Sequence, residues 1–385
     1  MADSVRAGSP VREQVLLADY TTLRLGGPAR RLVDAATEAA IVAEVGAADE
    51  RDEPLLVLGG GSNLVVADEG FPGTVVHVIT SGVRHSTAGH RAGPAGPGPV
   101  DVTVAAGEDW DAVVAGCVGE GLAGLECLSG IPGRAGATPI QNVGAYGQEV
   151  AERIISVRVY DRARRAVIDL AGADCGFGYR TSAFKRSLQP VPGAVTGRAV
   201  VLSVRFRLGR DHLSAPVRYA ELARALGVAE GGRAPLADVR SAVLGLRRGK
   251  GMVLDPGDPD TRSVGSFFLN PVLDRGQLAA VERAARAMAG PGARVPCYPA
   301  GDGQVKVSAA WLIEQAGFRK GYPAAGAVPG PAGARISSKH TLALVNPGEA
   351  TTAGLLALAR EIREGVRSAF GVELASEPVL VGAGL

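Results

Sequence analysis

Apolar and polar positions change their spacing several times along the chain, and each change marks an element. Ile41, Val42 and Val45 recur at helical spacing behind Thr37, whose hydroxyl suits an N-cap, so a helix is predicted from 37 to about 49. An apolar run at 55–58 and a β-branched run at 74–79 read as strands. Val100, Val102 and Val104 alternate with Asp101 and Thr103 as one strand face does, and Asp109 then caps a second helix reaching 119. Further strands are expected at 154–160 and 200–208. In the latter, Ser203, Arg205 and Arg207 face away from Val204, Phe206 and Leu208. Helical spacing returns at 218–226 and 236–246 and, after the turn cluster 255–260, at 275–288, 307–316 and 351–370. The last helix carries Leu355, Leu358, Ile362, Val366 and Phe370 along one side. The stretches 82–99 and 322–333, rich in Gly and Pro, read as surface loops, the first also as a domain boundary. No internal repeat is evident. Helices and strands mix without regular alternation, which favours an α+β fold over an uninterrupted βαβ series.

Composition narrows the function classes. The 385 residues suggest two or three domains, and 46% hydrophobic with 21% charged residues is ordinary globular chemistry. A net charge of +2 gives no reason to invoke nucleic acid, and 4% aromatics are too few for a base-stacking surface. No stretch approaches the roughly 20 apolar residues of a membrane span. The polar start, with Asp3 and Arg6, lacks the apolar region of a secretory signal. Cys117, Cys127, Cys175 and Cys297 are scattered, form no CxxC and point to a reducing, cytoplasmic setting with no metal site.

Chemistry is concentrated in a few segments. Gly59-Gly60-Gly61-Ser62-Asn63 follows an apolar strand, and consecutive main-chain N–H groups there could cradle a pyrophosphate. It matches neither GxGxxG nor a P-loop, and a structural turn explains it equally well. Ile131-Pro132-Gly133-Arg134-Ala135-Gly136-Ala137-Thr138-Pro139-Ile140-Gln141-Asn142-Val143-Gly144-Ala145-Tyr146-Gly147 is dominated by small residues. It suits either a large flat ligand bound by backbone amides or a loop buried under another domain. In Phe177-Gly178-Tyr179-Arg180 the arginine fits a carboxylate or phosphate, with a structural ion pair as the plainer alternative. Gly265-Ser266-Phe267-Phe268-Leu269-Asn270-Pro271 suits a hydroxyl held in a tight apolar place, without the GxSxG pattern of a hydrolase and with a core-facing strand and a satisfied serine as the plainer alternative. Glu377-Pro378-Val379 sets a carboxyl group beside the final strand, where an ordinary edge residue is the plainer reading.

Taken in order, these segments resemble the UDP-N-acetylenolpyruvoylglucosamine reductase (UDP-N-acetylmuramate dehydrogenase) family, and in particular its tyrosine-loop subtype. The likeness runs from Thr21-Thr22-Leu23-Arg24-Leu25-Gly26-Gly27 to Gly382. It implies an α+β fold: a two-domain FAD-binding region of the PCMH/vanillyl-alcohol-oxidase-like type plus a C-terminal α+β substrate-binding domain. The implied boundaries are 1–81 for FAD-binding subdomain 1, joined by the C-terminal strand 374–385, then 82–250 for subdomain 2 and 251–373 for the substrate domain. The resemblance sets the FAD phosphates against Gly59, Gly60, Gly61, Ser62 and Asn63. It sets the rest of the flavin near Gly133, Gly136, Ala137, Gln141, Asn142, Gly144, Ala145, Tyr146 and Gly147. Arg180, Ser266 and Glu377 align with the catalytic trio, and Tyr219, Lys250 and Asn270 with substrate contacts. The implied reaction is the NADPH-driven reduction of UDP-N-acetylglucosamine enolpyruvate to UDP-N-acetylmuramate, in peptidoglycan precursor synthesis. Flavin N5 would supply the hydride, Ser266 the proton, and Glu377 a hydrogen bond in its neutral form. A monomer is expected, with a small-molecule UDP-sugar as partner, and neither nucleic acid nor membrane insertion.

Two other readings stay open on sequence alone. One is an FAD-dependent oxidoreductase of the same superfamily acting on another substrate. The other is a non-catalytic relative that binds flavin or nucleotide.

Overall fold

The structure, a computed structural model, describes residues 10–87, 98–188, 195–301, 303–323 and 333–385. Its contacts divide the chain into two compact units. The first comprises the described residues of Met1–Val15, Pro28–Gly61 and Phe71–Arg248; the second comprises those of Leu16–Gly27, Ser62–Gly70 and Gly249–Leu385.

The first unit carries two principal sheets. One orders the strands Val11–Leu16, Pro28–Ala35, Phe71–Val78 and Leu55–Leu58, with Phe71–Val78 parallel to both Pro28–Ala35 and Leu55–Leu58. Helix Glu38–Glu50 connects its strands. Thr37 caps it by accepting from the Ala40 N–H at 3.1 Å, and Ile41, Val45 and Ala48 are buried. The other sheet is antiparallel, in the order Ala166–Ala171, Ile154–Asp161, Ala199–Arg210, Val100–Ala105 and Val83–Ser86, with Leu122–Ala123 also paired to Ala199–Arg210. Along its central strand Val204, Phe206 and Leu208 are buried while Arg205 and Arg207 are exposed, the alternation a half-covered sheet requires. Helix Trp110–Gly119 starts at Asp109, which accepts from the Ala112 N–H at 2.9 Å, and Trp110 meets Phe206 in the core.

In the second unit, helix Thr352–Phe370 buries Leu355, Leu358, Ile362, Val366 and Phe370 against helices Arg275–Ala289 and Ala309–Gln315. Its start explains why the distant segment 62–70 belongs here. Asp68 accepts from the Thr352 and Ala353 N–H groups, both at 2.8 Å, an anion at a helix N-terminus. Strand Leu64–Val66 pairs in parallel with the C-terminal strand Val379–Val381. Three-stranded sheets join Ser263–Ser266, Ala343–Val345 and Arg335–Ile336, and Val272–Leu273, Gln304–Val307 and Cys297–Gly301. Among the described residues no helix is long and apolar enough to cross a membrane.

Some expectations shift. The stretch 82–99 is not all loop: Val83–Ser86 is an edge strand, exposed along its whole length, so no hydrophobic alternation announces it. Residues 88–97 of that stretch, and 324–332 of the expected loop 322–333, lie outside the described residues. The helix expected at 307–316 begins at Ala309, because Val307 ends a strand and Ser308 is the cap. The helix expected at 218–226 begins at Ala220, after Tyr219.

Asp161 gives the first unit a defined acid response. Its carboxylate accepts from Arg198 Nε at 2.9 Å and Nη2 at 2.7 Å and from the Ala163 and Arg164 N–H groups at 3.0 and 3.1 Å. Chiefly the Arg198 bonds, against the opposing effect of burial, hold it at about 2, below the usual 3.8. The stability this adds is complete above the unfolded value and is lost as pH falls through about 2. The urea midpoint of the wild-type protein is therefore expected to fall between pH 4 and 2, and Asp161→Asn to make that fall shallower; equal slopes would exclude this carboxylate as a source.

Candidate active site

The glycine run after strand Leu55–Leu58 comes against the start of the small-residue segment. A Cβ on Gly60 would lie 2.8 Å from the Gly133 Cα, so the two main chains touch with no side chain between them. The segment is pinned from behind. The Trp110 N–H donates to Gly133 O at 3.1 Å, Ala135 N–H to Glu108 O at 2.9 Å, and Gly136 N–H to Ala106 O at 2.8 Å. Further along, Asn142 is buried, with its side chain committed inside the protein. Its amide donates to Glu149 Oε2 at 2.7 Å and Gly178 O at 3.0 Å, and its oxygen accepts from the Ala151 N–H at 3.2 Å. Asn142 thus shapes the loop that Gln141, Gly144, Ala145 and Gly147 belong to. Ala137 is exposed.

Arg180 sits in a tight turn closed by reciprocal bonds between Gly178 and Thr181, with φ of 51°. Its Nη2 donates to Gly144 O at 2.8 Å, and its guanidinium carbon is 6.0 Å from the centre of the Tyr179 ring. Ser182 is fully buried; it donates to Ile140 O at 2.5 Å and caps the following turn through the Lys185 N–H. Tyr219 meets Tyr146 edge-on at 5.5 Å, and a Cβ on Gly147 would come within 3.1 Å of the Arg218 Cβ. The first unit therefore brings together the small-residue segment, Arg180 and Tyr219. Burial pushes the Tyr146 phenol up to about 12, so it is a neutral donor at ordinary pH.

Ser266 and Glu377 are neighbours in the second unit. The Glu377 N–H donates to Phe267 O at 2.8 Å, and Phe268 bridges to Ser376. Ser266 ends a strand whose register slips between Ser263 and Ser266, and Gly265 there has φ of 74°, a conformation costly to any residue with a Cβ. Phe267 and Phe268, fully buried and edge-to-face at 5.1 Å, anchor the chain beyond it. Asn270 Oδ1 accepts from the Ala309 N–H at 2.9 Å, leaving its amide nitrogen as the group to consider for a substrate contact. Lys250 is half-buried after helix Leu236–Gly249. Ser62 and Asn63 also belong to this unit, and Asn63 O accepts from the Val379 N–H at 3.0 Å.

Residues 29–170 match the family model described as an FAD binding domain, and residues 258–381 match the C-terminal domain of UDP-N-acetylenolpyruvoylglucosamine reductase. The chain is 56% identical to the UDP-N-acetylenolpyruvoylglucosamine reductase of Thermobifida fusca over 96% of its length and 98% of the relative's. It is also 56% identical to that of Saccharopolyspora erythraea over 100% and 99%. The chain belongs to the UDP-N-acetylenolpyruvoylglucosamine reductase family. The crystal structure of such a reductase from Thermus caldophilus superposes with a TM-score of 0.60 at 26% identity, covering 97% of this chain and 99% of that one. Members of the reductase family are flavin-dependent oxidoreductases of peptidoglycan precursor synthesis, with FAD as cofactor. The first unit fits that cofactor: its main-chain cradle at Gly60 and Gly133 would be closed by a single added methyl.

One residue that the motifs did not reveal lies near Tyr146 and Arg180. Arg247 is 8% exposed in helix Leu236–Gly249, within electrostatic reach of Tyr146, Asp111 and Arg180. Burial pushes it down to about 10, so it stays charged at neutral pH. Arg247-Arg248 reads as a solvated helix end, yet Val239, Val243 and Arg247 share one face at four-residue spacing, a signal the sequence did hold.

Gly60→Ala is expected to strip flavin from the purified protein severalfold, read from the visible flavin absorbance, because two backbones must separate at an overpacking cost of about 1–3 kcal/mol. Gly116→Ala, with open space around the added methyl, is the control and should keep its flavin. Equal flavin content in both variants would remove the cradle from cofactor binding.

Proposed function

We propose that the protein reduces UDP-N-acetylglucosamine enolpyruvate to UDP-N-acetylmuramate, with Arg180, Ser266 and Glu377 as its catalytic residues. The observation that carries this reading is the strand pair in which a bulge presents Ser266 beside the chain of Glu377. Gly59, Gly60, Gly61, Ser62 and Asn63 hold the FAD phosphates, and the segment 133–147 holds the rest of the flavin. The sheet of Phe71–Val78 and that of Ala199–Arg210 correspond to the two FAD-binding subdomains, 1–81 and 82–250, and residues 251–373 to the substrate domain.

FAD held by these segments would supply the hydride for the terminal carbon of the enolpyruvyl group, with NADPH as its reductant. Arg180 meets the negative charge that gathers on the substrate carboxylate, as a permanent cation held in place by its turn and by Gly144 O. Glu377 donates a hydrogen bond to the same carboxylate, which requires its neutral acid form. Ser266 gives its proton to the carbon bearing the ether oxygen. A hydroxyl is a weak acid, but a carbanion is a strong base and the bulge fixes the approach. The new methyl thus takes a hydride and the adjacent carbon a proton, which balances the reduction of one double bond. Tyr219, Lys250 and Asn270 contact the UDP-sugar.

The test is anaerobic. NADPH should bleach the flavin of the purified protein, and UDP-N-acetylglucosamine enolpyruvate should restore the oxidised spectrum; a flavin that stays reduced would assign another substrate. Ser266→Ala is expected to keep the first step and lose the second. Equal damage to both would take Ser266 out of the acid role. Glu377→Gln, which keeps a donor, should stay near wild-type activity, and a collapse of its rate would refute the neutral-acid role.

A further inference from the structure

Glu126 lies in the turn Glu126–Leu128 with none of its surface exposed. An enclosed carboxylate is costly unless hydrogen bonds replace its water, and here three N–H groups do so. Oε2 accepts from the Gly124 N–H at 2.6 Å. Oε1 accepts from Gln148 Nε2 at 3.1 Å and from the Ala215 N–H at 3.0 Å. The Gln148 amide is oriented in turn by the Cys127 N–H, which donates to its oxygen at 3.0 Å.

The last of the three donors is the informative one. In the run 214–217 the Ser214 and Val217 N–H groups bond Ala234 O and Gly232 O, both at 2.8 Å, and Pro216 has no N–H. Ala215 bonds in another direction, and its partner is Glu126. Four residues later comes Tyr219, within a reach of roughly 14 Å. Gln148, the side chain on the same carboxylate oxygen, is two residues past Tyr146. The rings of Tyr146 and Tyr219 then meet at 5.5 Å. One carboxylate therefore ties the backbone leading to one tyrosine to the loop carrying the other.

We propose that Glu126 is a positioning residue, which fixes the Tyr219 segment against the 144–149 loop so that Tyr219 is preorganised for the UDP-sugar. The proposal rests on the reading of Tyr219 as a substrate contact. Leucine at this position, close in volume, accepts none of the three N–H groups, whereas glutamine can still turn its oxygen to the Gln148 and Ala215 donors.

The test uses the flavin-loaded enzyme. Glu126→Leu should speed amide hydrogen exchange in 213–219 about tenfold while leaving exchange in 352–370 unchanged. It should raise KM for UDP-N-acetylglucosamine enolpyruvate about tenfold and leave flavin reduction by NADPH within about twofold. Tyr219→Ala should raise KM on its own, and the double variant should be no worse than Tyr219→Ala. Unchanged exchange in 213–219, or KM effects that multiply in the double variant, would overturn the positioning role. Faster exchange with a Tyr219→Ala enzyme of normal KM would keep the anchoring and instead refute Tyr219 as a substrate contact. Should Glu126→Leu fail to fold, Glu126→Asp, which keeps the carboxyl group and withdraws it by one methylene, is read by the same exchange and KM measurements.

Discussion

A loop in which seven of fifteen residues are glycine or alanine has few side chains with which to hold its own shape. Besides its own turn bonds, the segment 133–147 therefore relies on hydrogen bonds made to it from outside, and the first unit supplies them from buried or partly buried polar groups. The strand end and turn at 106–108 take the Ala135 and Gly136 N–H groups, Ser182 takes Ile140 O, and Arg180 takes Gly144 O. Asn142 bonds outward in three directions. Each polar group so used is unavailable for ordinary packing, and that is the condition for leaving the other side of the loop bare. A surface of main chain and small side chains is what a flat ring system and its phosphates require, since bulk there would hold the ligand away.

The second unit solves a different problem by different means. The acid role proposed for Ser266 needs a fixed direction for its hydroxyl, and rigidity here comes from aromatic burial. Phe267 and Phe268 leave the chain around Ser266 little freedom, and the register slip with the left-handed Gly265 before it breaks the regular alternation of the strand. The carbonyl of Phe267 then fixes the backbone of Glu377. Val379–Val381 continues into a parallel pair with Leu64–Val66, so residues at opposite ends of the sequence share one small sheet.

Local rules carried much of this into the sequence. Thr37 and Asp109 cap the helices expected of them, because a cap needs only its own turn. The buried face of helix Thr352–Phe370 was legible for the same reason, as were the motifs around Arg180, Ser266 and Glu377. What escaped was set by distant partners. Val83–Ser86 is a strand because Val100–Ala105 offers it an edge, not because its own residues alternate. Glu126 looks like any surface glutamate until Ala215, 89 positions away, donates to it. Arg247 was hidden by its charge, which argues for solvent when read alone and for burial only when Val239 and Val243 are counted with it.

Backbone strain joins these observations. Of the seven non-glycine residues with left-handed φ among the described residues, Asn142, Tyr146 and Arg180 lie in the candidate site. Each such residue costs on the order of 1–3 kcal/mol and persists only where its surroundings over-determine it. Asn142 is held by its three side-chain bonds, Arg180 by the Gly178–Thr181 turn and Gly144 O, and Tyr146 in part by its contact with Tyr219. The first two restraints come from the loop and the turn beside it. The third comes from a segment more than sixty residues further on, which must itself be fixed before it can fix anything else. That need is what gives a fully buried carboxylate at position 126 a physical reason to exist: an apolar residue there would pack as well, but it could not accept the one N–H that sets where the Tyr219 segment begins.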